Sequence, residues 1–402
     1  MYPDWPRSDA DLVPLPCCDG PKLEPFDFKG PQQIEFLEHL GDGLHAQVLK
    51  VKILGQIYAL KLFRFTWDED WLGRGPDNDE NDLEAMTAFY NYSEPFTSEC
   101  RAFGRLRETG HEELAVKCLG YVLLDEEHER AMLSQFSNVE LNGSFYCPGA
   151  DDMRSRFLGR DGRPPPIRGI LKEFGPAAQD LRNPDMRRIL RDITQLQQLG
   201  IIHIDVADRQ IVGGKISDFS TAMTAPHYLM TPELNPHLTP EWISAMEFET
   251  FQFSINDFWD FDEMVVIWNQ EHPEQKNKIS VHAFPGGFGC NIKYDLRSSP
   301  SRERVYSFVD PRLYDWKVSA VGQEQRSTKG GKVGKGKGTK PSSPGKSPQG
   351  VSKSRRRLQA KPPRWYYDCS KKVAAKLKRS YGFSTSLSWV FRDGHIFPQK
   401  KK

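Results

Sequence analysis

The chain has 402 residues, 38% hydrophobic and 11% aromatic, enough for one large domain or two modest ones, and no apolar run reaches the about 18 residues of a membrane span. Seven cysteines, an odd number with no C-x-x-C pair, argue against a disulfide framework or a structural zinc site and read as reduced thiols in a nuclear or cytoplasmic protein. The net charge of +1 hides a split: Arg326 to Lys402 carries 22 Lys and Arg against Asp368 and Asp393, leaving 33 basic and 52 acidic residues before it, a body near −19 and an arm near +20.

Residues 1–30 read as an irregular N-terminal arm, polar and proline-rich at its start, without a signal-peptide core. From residue 31 the pattern changes. "IEFLEHL", "AQVLKVKI" and "QIYALKLFRF" predict three strands, with a hairpin turn at Gly55-Gln56. The acidic stretch "TWDEDWLGRGPDNDENDLEAM" reads as a surface loop. Pro95 opens a helix whose apolar face is Phe96, Cys100, Phe103 and Leu106, and Gly110 closes it. "LAVKCLGYVLL" and "IRGILKEF" are strands, separated by an irregular insert at 125–166. Asn183 caps a further helix with Pro184 at its first position, and Met186, Ile189, Leu190, Ile193 and Leu196 recur at helical spacing.

Gly213-Gly214 then supplies the positive φ angles of a two-residue hairpin, which sets Gln210 opposite Ser217. This order predicts a small β-rich lobe followed by a helical one. "KGGKVGKGKGTKPSSPGKSPQG" has almost no apolar content and is expected to stay disordered. "YYDCSKKVAAKLKRSYG" is expected to form a short basic helix. The basic arm, residues 326–402, suits non-specific DNA or an acidic partner; a fold-back onto the acidic body is the alternative.

The candidate site is a constellation. "LGDGLHAQVLKV" precedes "YALK", with Lys61 thirteen residues after Val48. This resembles the glycine-rich loop and third-strand lysine of protein kinases, with Gly41 and Gly43 retained and Ala46 in place of the third glycine. Glu99 is the candidate helix carboxylate to aim Lys61, with Glu94 as competitor. "HIDVADRQ" resembles the catalytic loop H-R-D-x-x-x-x-N, with Ile204 for Arg and Gln210 for Asn, and "DFS" resembles D-F-G with Ser220 for Gly. Thr239-Pro240-Glu241 resembles A-P-E, and Asp257-Phe258-Trp259 resembles the D-x-W that opens a large buried helix and ties down the catalytic loop.

The resemblance covers about Ile34 to Asp262. It implies an α+β, protein-kinase-like two-lobed fold over residues 31–320: a β-rich N-lobe at about 31–175 and a reduced helical C-lobe at about 176–320. A low-complexity basic linker at 321–360 and a basic C-terminal segment at 361–402 follow. It also implies roles. Asp205 would accept the proton of a substrate hydroxyl. Lys61 and Glu99 would orient phosphates, and Asp218 and Gln210 would hold Mg²⁺. Gly41, Gly43, Ala46, Val48, Ala59, Glu173 and Phe174 would surround ATP, Glu173 and Phe174 through backbone bonds, and Leu40 would join the apolar roof. Lys172 stands where an apolar residue is expected.

"YALKLF", "ECRAFGRL", "AVKCLGY", "RGILKE" and "GGKISDFSTAMTAPH" together resemble a fungal kinase-like family named for an Fta-type kinetochore subunit. That resemblance implies protein partners at the kinetochore or chromatin. Two activities stay open. One is a Mg-ATP-dependent Ser/Thr phosphotransferase acting on a protein substrate; the other is a non-catalytic pseudokinase adaptor.

Overall fold

The computed structural model describes residues 2–318 apart from 67–70, 72–82, 145–146, 149–151, 177–179, 236–237, 285–286, 289–294 and 298–308. Beyond them it describes 358–359, 366–368, 387–392 and 395–400.

Three consecutive antiparallel strands begin the sheet: β1 (Glu35–Asp42), β2 (Ala46–Ile53) and β3 (Gln56–Phe63). The β2–β3 turn is Leu54-Gly55, one residue earlier than the sequence suggests, and both residues have positive φ (50° and 77°). That is the primed geometry that matches strand twist. With β4 (Cys118–Leu123) and β7 (Arg168–Glu173) the sheet runs β1-β2-β3-β7-β4, antiparallel throughout. Register sets Lys172 opposite both Ala59 and Cys118, and Lys61 opposite Val48 and Ile170.

Two helices follow β3. The first, α1 (Leu83–Ser93), starts within the stretch read as a loop. Helix α2 (Pro95–Thr109) begins at Pro95 and ends at Gly110 with φ 71°, and Phe96, Cys100, Phe103 and Leu106 are all buried, as expected. The insert at 125–166 is not irregular: it holds α3 (Glu126–Gln135), the two-residue strands β5 (Gly143–Ser144) and β6 (Cys147–Pro148), and the one-turn α4 (Met153–Arg156). Asp125 caps α3, accepting from the His128 amide, and three acids occupy its first turn.

Helix α5 (Asn183–Gln198) starts at the predicted cap itself, one residue earlier than expected. Arg182 takes the cap position, and Asn183 Oδ1 instead accepts from Ser280 N at 2.9 Å. The short strand pairs β8 (Ile201–Ile202) with β11 (Met223–Thr224), and β9 (Ile211–Val212) with β10 (Lys215–Ile216), follow. Helix α6 (Pro240–Glu271) then runs for 32 residues, capped by Thr239, so Asp257 lies inside it rather than at its start.

The N-terminal residues lack long elements, yet they are no free arm. Tyr2 and Leu23 are buried, and Tyr2 meets the rings of Phe65, Tyr90 and Phe157 edge-on. Glu24 and Phe26 exchange backbone bonds with Tyr121 and so cover the β4 edge of the sheet. One core cluster runs from Phe63 and Ile170 of the sheet, through the α2 face, to Ile193 of α5 and Phe258 of α6. Arg101 and Arg105 of α2 donate to the carbonyls of Thr224 and Leu199, which fastens the sheet side to the helical side.

Of the expected basic helix, Tyr366–Asp368 forms a strand (β13) parallel to β12 (Asp295–Arg297), and the rest lies outside the described residues. Strands β14 (Leu387–Arg392) and β15 (His395–Lys400) form a hairpin. The linker expected at 321–360 lies outside the described residues except Leu358 and Gln359, and Gln359 N donates to Gln198. No helix among the described residues is long and apolar enough to cross a membrane.

Candidate functional site

A cavity of about 650 Å³ opens between the sheet and the α5–α6 side, within the range of small-molecule sites. Its roof is the β1–β2 loop, Leu40 to Ala46, with Val48 and Ala59. Its rim carries Glu173, Phe174 and Gly175, and its floor Asp205, Arg209, Gln210, Val212 and Asp218. Every expected site residue except Glu99 lines it, and Glu99 reaches it through Lys61.

The loop is tied by contacts near its tip. Gly43 N donates to Ala46 O at 2.9 Å, and His45 Nδ1 lies 3.2 Å from Ser220 Oγ. A Cβ added at Gly41 would meet nothing within 4 Å. No neighbouring atom of the protein therefore demands glycine there, and the position lies at a register shift of the β1–β2 pair.

Lys61 is buried at the centre. Its Nζ lies 2.8 Å from Glu99 Oε2 and 2.6 Å from Asp218 Oδ1. Burial alone would lower the Lys61 ammonium, but Asp218 and Glu99 outweigh it and raise it above its ordinary value. Burial would raise the Asp218 carboxyl; Lys61 and then Lys172 outweigh it and hold it well below the carboxylate range. Glu99 rather than Glu94 is the partner. Glu94 instead caps α2 through Thr97 N and pairs with Arg168 at 2.7 Å.

The β9–β10 hairpin sets the floor. Gly213 and Gly214 have φ of 56° and 74°, and Ser217 N bonds Gln210 O at 2.8 Å, the expected pairing. Upstream, Asp257 of α6 accepts from the His203 and Ile204 amides at 3.0 and 2.7 Å and fixes the loop that carries Asp205. Ile204 has φ 72°, a conformation a β-branched residue adopts only when its surroundings impose it. Asp205 Oδ1 pairs with Arg209, and Oδ2 accepts from Gln210 Nε2 at 2.8 Å.

Two details bear on the expected ligand contacts. The Glu173 amide donates to Lys117 O at 2.9 Å, so of its backbone groups only the carbonyl is left to meet a ligand. Asp218 and Gln210 also make a poor magnesium pair. Asp218 Oδ1 is engaged by Lys61 and by Ser220 N at 2.8 Å, and Gln210 is uncharged with its amide committed to Asp205. Among the described residues no three His, Cys, Asp or Glu side chains group as metal ligands. The chain thus offers magnesium one carboxylate shared with Lys61 and one neutral amide oxygen, a weak donor set whose octahedron would have to be completed by phosphates and water.

Sequence reasoning gave no site role to three contributors, although it noted Lys172 as an unexpected cation. Lys172 reaches Glu99 Oε1 and donates to Ser217 O at 2.6 Å. Arg209 and His45 are the others. Lys172 had a signal, a lysine in an otherwise apolar strand; Arg209 and His45 had none.

The family model for kinetochore Sim4 complex subunit FTA2 matches residues 12–223, just over half of the chain. The match begins in the packed N-terminal segment, covers the whole cavity lining and stops before α6. Comparison with curated proteins gives no match.

Proposed function

The chain belongs to the kinetochore Sim4 complex subunit FTA2 family, and on that premise we propose that it is a nuclear kinetochore subunit with a protein-kinase-like, two-lobed fold that binds ATP in the cavity. One observation carries the nucleotide reading: Lys61 stands between Glu99 and Asp218, at 2.8 and 2.6 Å, beneath a glycine loop. Positioned cations and backbone amides are what phosphates need. Leu40, Val48 and Ala59 supply an apolar roof for the base.

Phosphotransfer would use Asp205. A substrate hydroxyl oxygen would bond to the γ-phosphorus as the bond to the β–γ bridging oxygen breaks. ADP would leave, and the hydroxyl proton would pass to Asp205. A second reading has its own support. Both Asp205 oxygens are engaged, one by Arg209 and one by Gln210. An aspartate so held favours an adaptor that binds nucleotide and presents surfaces to kinetochore partners.

Thermal denaturation with and without ATP tests the shared part. ATP at a hundredfold excess over its Kd should stabilise the chain by about 2.7 kcal/mol, and Lys61→Ala should abolish the shift. A shift that survives in Lys61→Ala would remove this cavity from the reading. Transfer of γ-phosphate that Asp205→Asn abolishes would decide for the enzyme; its absence in the wild-type chain would decide for the adaptor.

A further inference from the structure

The inner site holds as many cations as anions. Lys61 serves Asp218 and one oxygen of Glu99; Lys172 serves the other Glu99 oxygen; Arg209 serves Asp205. At the rim Asp42 is paired with Arg64, and Glu173 is exposed. Without Lys172, Glu99 and Asp218 would share Lys61 alone. The buried set would then carry one excess negative charge, and a low-dielectric site with such an excess draws a cation.

Lys172 meets that demand from within the chain. Lysine is almost never fully buried unless paired, and here Nζ has Glu99, the Ser217 carbonyl and the Phe103 ring at 5.3 Å around it. The strand register fixes it there, opposite Ala59 and Cys118. When Lys61 turns to a phosphate, Glu99 keeps a counter-charge. A divalent ion, by contrast, would find a single carboxylate, Asp218, beside a neutral amide at Gln210.

We propose that the site binds its nucleotide without a divalent metal, with Lys172 supplying the fixed positive charge that magnesium would otherwise bring. The inference rests on the nucleotide reading above.

Calorimetric titration of the full chain with ATP, in excess EDTA and in excess MgCl₂, tests it. The two Kd values should agree within about threefold, under 1 kcal/mol. Lys172→Met should weaken binding in EDTA by about tenfold or more, with Mg²⁺ restoring it. Lys172→Arg, which keeps the charge, should stay metal-independent. Should Lys172→Met fail to fold, the wild-type comparison decides alone. Magnesium tightening the wild-type chain by more than about tenfold would overturn the inference and leave the nucleotide reading intact. No binding in either buffer would overturn that reading, and the inference with it.

Discussion

Glu94 and Glu99 stand five residues apart at the start of α2, both buried and both facing cations. Glu94 meets Arg168 in an aromatic enclosure, with the guanidinium 4.3 Å from the Tyr2 ring centre and 4.5 Å from that of Phe65. Arg168 also donates to Arg64 O at 2.8 Å. Burial works against the Arg168 charge, but Glu94 outweighs it and raises its pKa further. Nothing in that pair lines the cavity. Glu99 meets Lys61 and Lys172, and both of those do. The same residue type on the same helix thus makes one pair that ties elements together and another that opens on a ligand-sized space. The difference lies in what surrounds each pair: rings seal the first, and a glycine loop leaves the second accessible.

Removing one cation from each pair should separate them most clearly. Arg168→Met strands Glu94 without its counter-charge, a loss of about 3–5 kcal/mol, so the melting temperature should fall on the order of 10 °C. Lys61→Met should cost less, because Glu99 retains Lys172 and Asp218, left without Lys61, opens on the cavity where water can hydrate it. Equal losses in the two variants would show that the pairs do not differ.

An intermediate effect is expected from pH. Asp218 has a folded pKa below its unfolded value of about 3.9. Its stabilisation is therefore full above that value and is lost as pH falls through the folded one. The melting-temperature gap between the wild-type chain and Asp218→Asn should be widest near neutral pH and narrow below about pH 4. A gap that stays constant down to about pH 3 would mean that Lys61 does not hold Asp218 in solution.

The smallest effect belongs to the tie between the glycine loop and the floor. Ser220→Ala removes the hydroxyl beside His45 and should lower stability by about 0.5–1.5 kcal/mol. It should also loosen the loop, read as faster amide exchange at His45 and Ala46. Unchanged exchange would detach Ser220 from the loop.

The features legible in the sequence are those set by neighbours along the chain. Pro95 and Gly110 bound α2 because fixed φ suits a first turn and glycine tolerates positive φ. Gly213-Gly214 forces the hairpin that pairs Gln210 with Ser217, so the floor could be placed from local stereochemistry. Helix α3 was hidden because only Met132 among its residues is buried, which leaves no apolar stripe to read. The start of α6 did carry local marks, Thr239 as cap and Pro240 at the first position, but the segment's resemblance to A-P-E kept it from reading as a helix start. The rest needed the tertiary structure. Gly104 looks like a weak point in α2, yet a Cβ there would come within 2.5 Å of Lys22 O, so the packed N-terminal segment dictates it. Which glutamate meets Lys61, and that Lys172 shares it, follow from strand register and helix placement between residues far apart in sequence. A carboxylate's choice of cation is fixed by distance and burial in three dimensions, and no local pattern encodes those.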